Sequence, residues 1–257
     1  MADVEVTHEE AIATVMLNRP ASRNAMTSAM WRDVGRIFRV LGSDPGVRGI
    51  ILTGAGQNFS VGADVSEFAA VRADATAAKA YENDVDACAD AIAAAPQPVI
   101  AALDGYCLGG GCHMSLAADF RFAAPRAQIG IPSAKLSIVY GVRSTQRLLA
   151  LVGLTQAKRI LYGAERIDGH AAETIGLVDQ VGADPLSDAG LYLRRLARNA
   201  PLSIGGAKTI LNGLSMGPGV LDQARADGLI DAAADSADYA EGRQAFADKR
   251  APHFKGR

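Results

Sequence analysis

The chain has 257 residues, 49% of them hydrophobic, and a formal net charge of −2. That is enough for one large buried core, and too even in charge for a protein that grips phosphate backbones, which needs clustered Lys and Arg. The acidic opening MADVEVTHEE lacks the apolar stretch of a leader, and runs such as PVIAAL are far too short to cross a bilayer. A cytoplasmic protein with no nucleic-acid or membrane partner is therefore expected.

In chain order, VEVTHEEAIATVMLN alternates apolar and polar residues around a polar break and predicts a β-hairpin. Thr27 is placed to cap a helix over SAMWRDVGRIFRVLGSD, where Met30, Val34, Ile37 and Leu41 recur at three- and four-residue spacing. VRGIILTGAG predicts a buried strand stopped by glycines, and DATAAKAYENDVDACADAIAAAP a helix ending at Pro96. PVIAALDG predicts a second buried strand, followed by three glycines, a helix from about Gly110 to Ala117, and a strand over DFRFAA. Strands alternating with helices indicate an α/β core of β-β-α turns. From about residue 144 the pattern is nearly all helical, which predicts a helical layer or lobe.

Cys88, Cys107 and Cys112 form an odd set in a chain large enough to need no staples, so buried free thiols are expected. Cys107, Cys112 and His113 have no second ligand pair, and no metal is expected. The glycines 109–111 and the stretch LTGAGQNFSVGADVSEF at 52–68 are two loops of the same kind, each a strand running into glycines. Where no Cβ blocks the approach, two such loops can aim two backbone N–H groups at one oxyanion, each worth about 3 kcal/mol to a developing charge. An acid at the helix-to-strand corner, Asp119, suits turn hydrogen bonding better than catalysis.

LNRPASRNAM at 17–26, GAGQNFSVGADVSEF at 54–68, AALDGYCLGGGCHMSLAADFRFA at 101–123, STQRLLALVG at 144–153 and EGRQAFADKRAPHF at 241–254 together resemble the crotonase, or enoyl-CoA hydratase/isomerase, superfamily. The resemblance is collinear over essentially the whole chain. It implies a spiral β-β-α core over residues 1–195, a C-terminal helical region over 196–257 that makes trimers or hexamers, and an acyl-CoA thioester substrate. No cofactor is implied beyond the coenzyme A that the substrate carries. Carried over by position, the N–H groups of Ala63 and Gly110 would form the oxyanion hole. Ala25, Asp64 and Val65 would line the adenine and pantetheine path, and Arg23 would lie near the CoA phosphates. Phe246 and Lys249 would reach the nucleotide from a neighbouring subunit.

The resemblance also implies two glutamates for adding water, but those positions hold His113 and Ser133, and no Asp or Glu occurs from 120 to 164. Ordinary hydration is therefore expected to be impaired. His113, three residues beyond Gly110, shares its helical face and is expected to reach the pocket, kept neutral by the helix N-terminus, either packing there or serving as base or donor. Tyr140 stands where some relatives place an isomerase acid and where a decarboxylase branch has a tyrosine. Three readings follow: a lyase or isomerase working through an enolate, a decarboxylase using His113 and Tyr140, or an acyl-CoA binder without chemistry. Glu67 and Glu82 are the acids to consider if the chain hydrates after all.

Overall fold

The computed structural model describes residues 2–257. The expected hairpin pairs β1 (Val4–Glu9) with β2 (Ile12–Leu17), antiparallel, with Val4 opposite Leu17 and Glu9 opposite Ile12. Thr27 accepts a hydrogen bond from the Met30 N–H and opens α1 (Ser28–Gly42), which buries Met30, Trp31, Val34 and Phe38. β3 (Gly49–Gly54) follows, then the one-turn α2 (Phe68–Val71) and the long α3 (Ala75–Ala94). β4 (Val99–Leu103) is buried at every residue, and the three-residue β5 (Tyr106–Leu108) leads into α4 (Gly110–Leu116). Beyond it come β6 (Phe120–Ala123), β7 (Gln128–Gly130) and α5 (Val142–Gly163). The rest comprises α6 (Gly169–Thr174), β8 (Gln180–Val181), α7 (Pro185–Leu196), α8 (Pro201–Ser215), α9 (Gln223–Ala234) and α10 (Ala237–Ala247).

Among these residues the main sheet runs β1-β2-β3-β4-β6-β8, parallel from β2 onward, and a second small sheet pairs β5 with β7. The turn is thus the mixed α/β spiral that the sequence predicts. The central strands read as continuous apolar runs because both faces are covered. Val34, Phe38 and Ile92 of α1 and α3 lie in one core, while Ile51, Ile100 and Phe122 meet Ala189 and Leu193 of α7 in another.

Of the two forms expected after residue 144, layer or lobe, this second core shows a layer as far as Leu196: β8 extends the sheet and α7 seals its outer face. α5 is two helical runs that meet at Gly153, whose φ of 70° and ψ of 171° break the helical path between them. β5, β7 and β8, two or three residues long, carry too little periodicity to be seen in the sequence. Among the described residues no helix is long and apolar enough to cross a membrane.

Asp119 is structural, as expected. Its carboxylate accepts from the Val99 N–H at 2.7 Å and from Lys208 Nζ at 2.7 Å, tying α8 to the sheet. The three cysteines are free and buried.

Candidate active site

Two loops meet where β3 and β5 end. Ser60, fully buried, is the knot between them: its hydroxyl donates to the Asn24 carbonyl at 2.7 Å and accepts from the Gly62 N–H at 3.0 Å. Its own backbone pairs with the carbonyl of Tyr106 and the N–H of Leu108. A parallel bridge from Met26 to Ala63 pins the loop from the other side. Gly62, at φ 92°, lies so close to the second loop that a Cβ there would stand 2.9 Å from the Gly110 nitrogen and 2.6 Å from the Leu108 carbonyl oxygen. A Cβ on Gly110 would stand 3.5 Å from the Ala63 nitrogen and 3.0 Å from the Trp31 ring. The absence of side chains is what lets these strands touch.

Among the described residues, the Ala63 N–H donates to no acceptor in the protein while its neighbours Gly62 and Asp64 both do, and the Gly110 N–H opens α4 as one of the first-turn groups that have no intrahelical partner. Unpaired backbone donors in a well-bonded region call for an outside partner. Both residues line one cavity of about 150 Å³ together with His113, Ser133 and Tyr140, so the five proposed catalytic positions are brought together. Its other walls are largely apolar, including Trp31, Phe68, Val85, Ile131 and Leu136.

His113 is buried, and its Nε2 has no hydrogen-bond partner. The nearest acid is Asp86 on α3, whose Oδ1 is 3.9 Å from Nε2, too far for a direct bond. Burial, and after it the nearby Arg147 guanidinium, holds the imidazole pKa down to about 3. His113 is neutral as expected, but the cause is desolvation rather than the helix N-terminus. A group so reluctant to take a proton is a poor base and serves better as a hydrogen-bond donor. Tyr140 stands edge-on to the His113 ring at 6.0 Å, and its hydroxyl donates to the Gly109 carbonyl at 3.3 Å. Burial pushes its phenol up, so it too holds its proton. Ser133 sits in the short turn Pro132–Leu136 on the opposite wall.

The depressed His113 pKa has a measurable consequence for folding. The unfolded chain takes up the imidazole proton near 6.5 and the folded chain only near 3, so this stability is complete above 6.5 and is lost as pH falls toward 3. Wild type is expected to lose stability between pH 6.5 and 5 more steeply than His113→Gln, by up to about 1.4 kcal/mol per pH unit. Urea titrations of both proteins across that range check it; parallel curves would refute it.

The remaining predicted positions are distributed unevenly. Val65 is on the cavity wall and exposed. Asp64 is committed to local structure, accepting from the Ser66 N–H and hydroxyl and from Arg19 Nη1 at 2.9 Å, and these hydrogen bonds hold its carboxyl below the usual range. Arg19 also donates to the Ala25 carbonyl, so Ala25 and Asp64 share one guanidinium that sequence reading did not single out. Arg23, at φ 52°, lies over the Tyr106 ring, outside the cavity lining. Phe246 and Lys249 do not line the cavity within the chain; Phe246 is 87% exposed at the far end of α10.

What sequence reading left open is the acid on this wall. Glu82 of α3 lines the cavity and Asp86 stands one turn behind it. Glu67 is spent elsewhere, accepting from the Ser28 N–H and hydroxyl at the start of α1.

The profile of the family described as enoyl-CoA hydratase/isomerase matches residues 7–257. The chain belongs to that family. Among relatives, the 2,3-dehydroadipyl-CoA hydratase of Escherichia coli is 32% identical, with all of both chains covered. An enoyl-CoA hydratase/carnithine racemase from Magnetospirillum magneticum is similar at a TM-score of 0.92 and 35% identity, covering 100% of this chain and 97% of that one. An enoyl-CoA hydratase from Bacillus anthracis is similar at a TM-score of 0.88 and 31% identity, with both chains fully covered. This enoyl-CoA hydratase/isomerase family member therefore keeps the family's fold throughout, with His113 and Ser133 in its cavity.

Proposed function

We propose that the chain binds an acyl-CoA with the thioester carbonyl oxygen between the N–H groups of Ala63 and Gly110, and works on it through the enolate those donors stabilise. The single observation carrying this reading is that Ala63 and Gly110, whose N–H groups have no partner among the described residues, line one largely apolar cavity. Each donor is worth most where water is excluded, and no side chain has to move to supply it. The acyl group occupies the apolar walls, with His113 as a neutral donor near the carbonyl and Tyr140, whose hydroxyl is given to Gly109, packed beside it. In this reading Ala25, Asp64 and Val65 border the pantetheine, Arg23 meets the CoA phosphates, and Phe246 and Lys249 reach a neighbouring subunit's nucleotide in a trimer or dimer of trimers. The working compartment is the cytoplasm, and the reaction is of the lyase or isomerase kind rather than ordinary hydration.

Calorimetry with butyryl-CoA, set against butyrate and free coenzyme A, tests the reading. Micromolar binding that needs both halves of the thioester is expected. No binding of any acyl-CoA at high micromolar concentration would remove the proposal, and light scattering that gives a monomer would remove the subunit-sharing part of it.

A further inference from the structure

Among the described residues, four have a buried side-chain nitrogen or oxygen with no hydrogen-bond partner: Arg72, Gln97, His113 and Arg147. Two of these four, Arg72 and His113, line the same small cavity. A buried polar nitrogen left without a partner is destabilising, so two of them on one cavity point to a ligand that brings two polar groups. The acyl-CoA reading assigns His113 to the thioester carbonyl. It leaves nothing for Arg72.

Among the described residues that line the cavity, Arg72 is the only fixed cation and Glu82 the only carboxylate. The Arg72 guanidinium is stacked against the rings of Phe68 at 5.1 Å and Tyr81 at 5.2 Å, and the Tyr81 hydroxyl accepts from Trp31 Nε1 at 2.9 Å. Two packed rings thus fix the fork. Arg72 Nη2 donates to Glu82 Oε1, while Nε is the atom without a partner.

The two members of that ion pair are not held alike. The Arg72 side chain is 23% exposed and that of Glu82 46%, and Glu82 accepts no other hydrogen bond among the described residues. A pair open to water on one side is worth little, so Glu82 can turn to solvent at small cost while Arg72 stays between its rings. A plain alkyl chain would set hydrocarbon against a charged fork. A carboxylate would instead bond to it in the fork-to-fork manner that guanidinium favours.

Resting on the acyl-CoA reading above, we propose that the cavity takes an acyl-CoA whose acyl chain itself ends in a carboxylate, and that Arg72 selects it. The incoming carboxylate replaces Glu82 on the guanidinium, and Glu82 is a stand-in that keeps the fork paired until the ligand arrives. The substrate class is therefore a dicarboxylic acyl-CoA, its thioester carbonyl at one polar end and its free acid at the other.

Calorimetry with succinyl-, glutaryl- and adipyl-CoA, each set against butyryl-, pentanoyl- or hexanoyl-CoA of the same carbon count, tests this. At one length or more the dicarboxylic thioester is expected to bind wild type at least about tenfold more tightly than its match. Arg72→Gln is expected to lower that ratio at least about fivefold, since the amide keeps neither the charge nor the fork. Glu82→Gln, which removes the competing carboxylate, is expected to raise it. A wild-type ratio that reaches about tenfold at no length would overturn the proposal, as would a smaller fall in Arg72→Gln. Should Arg72→Gln not fold, Glu82→Gln decides, and an unchanged or lower ratio there would overturn it. Binding of the monocarboxylic thioesters without this preference removes only the present proposal, whereas failure of wild type to bind any of these thioesters removes the acyl-CoA reading as well.

Discussion

Crotonyl-CoA is expected to be hydrated at least about 10²-fold faster by the His113→Glu/Ser133→Glu double variant than by wild type, because two proton-transfer groups each contribute about 10²–10⁴-fold. The wild-type cavity holds the proposed N–H donors of Ala63 and Gly110 but has a neutral imidazole and a hydroxyl where water would need activating and a proton delivering. Glu82 does not fill both roles: it is one carboxylate on one wall, ion-paired with Arg72. Either single substitution is expected to stay near the wild-type rate, since the two groups act as a unit. The new glutamate at 113 enters a buried site with Asp86 and Arg147 close by, so its protonation depends on which of the two dominates. Stopped-flow loss of the enoyl absorbance measures all four proteins. Rapid hydration by wild type would mean that groups other than those at 113 and 133 activate the water.

The largest stability effect is expected at Arg121. This guanidinium is 1% exposed, bonded to Asp179 Oδ2 at 2.9 Å, and donates to the carbonyls of Ala118 at 3.0 Å and Leu177 at 2.9 Å. Asp179→Ala leaves a buried charge without its counterion, and such losses run to about 3–5 kcal/mol. For a chain of this size that corresponds to a fall in Tm of roughly 10 °C. Arg121→Met removes the charge but strands the carbonyls that end α4, and a comparable loss is expected. Thermal unfolding followed by circular dichroism checks both; a change under about 1 kcal/mol in Asp179→Ala would show the pair to be solvated rather than buried. Because α4 carries Gly110 and His113, weaker binding of acyl-CoA is expected to accompany the loss.

The legible parts of this chain were those whose causes are local. Thr27 caps α1 because the residues that need it follow immediately, and the glycines 109–111 announce a close backbone approach whatever lies opposite. The hairpin and the buried strands likewise carry their periodicity within a few residues. What could not be read was decided by residues far apart in sequence. Glu67 and Glu82 could both be named as acids to consider, but only the packing of α3 against α4 puts Glu82 on the cavity wall while Glu67 is spent on the start of α1. Arg121 and Asp179 are 58 residues apart, and the aromatic clamp on Arg72 needs Phe68 and Tyr81 brought together by two helices. The pKa of His113 is of this kind too, since burial by the whole fold outweighs the helix end that the local sequence offers.

The cavity has two walls of different character, and Ser60 marks the divide. On its side, the loop that carries Ala63 is tied down through buried groups, so a change there disturbs the core before it changes anything in the cavity. On the other side, α2 and the turn Pro132–Leu136 bury none of their residues and can shift or be replaced at little cost in stability. A lineage built on this fold can therefore explore new ligands by substituting one wall, while the other resists drift for reasons of folding alone. What the cavity admits and what holds it in shape are inherited separately, on opposite sides of one small space.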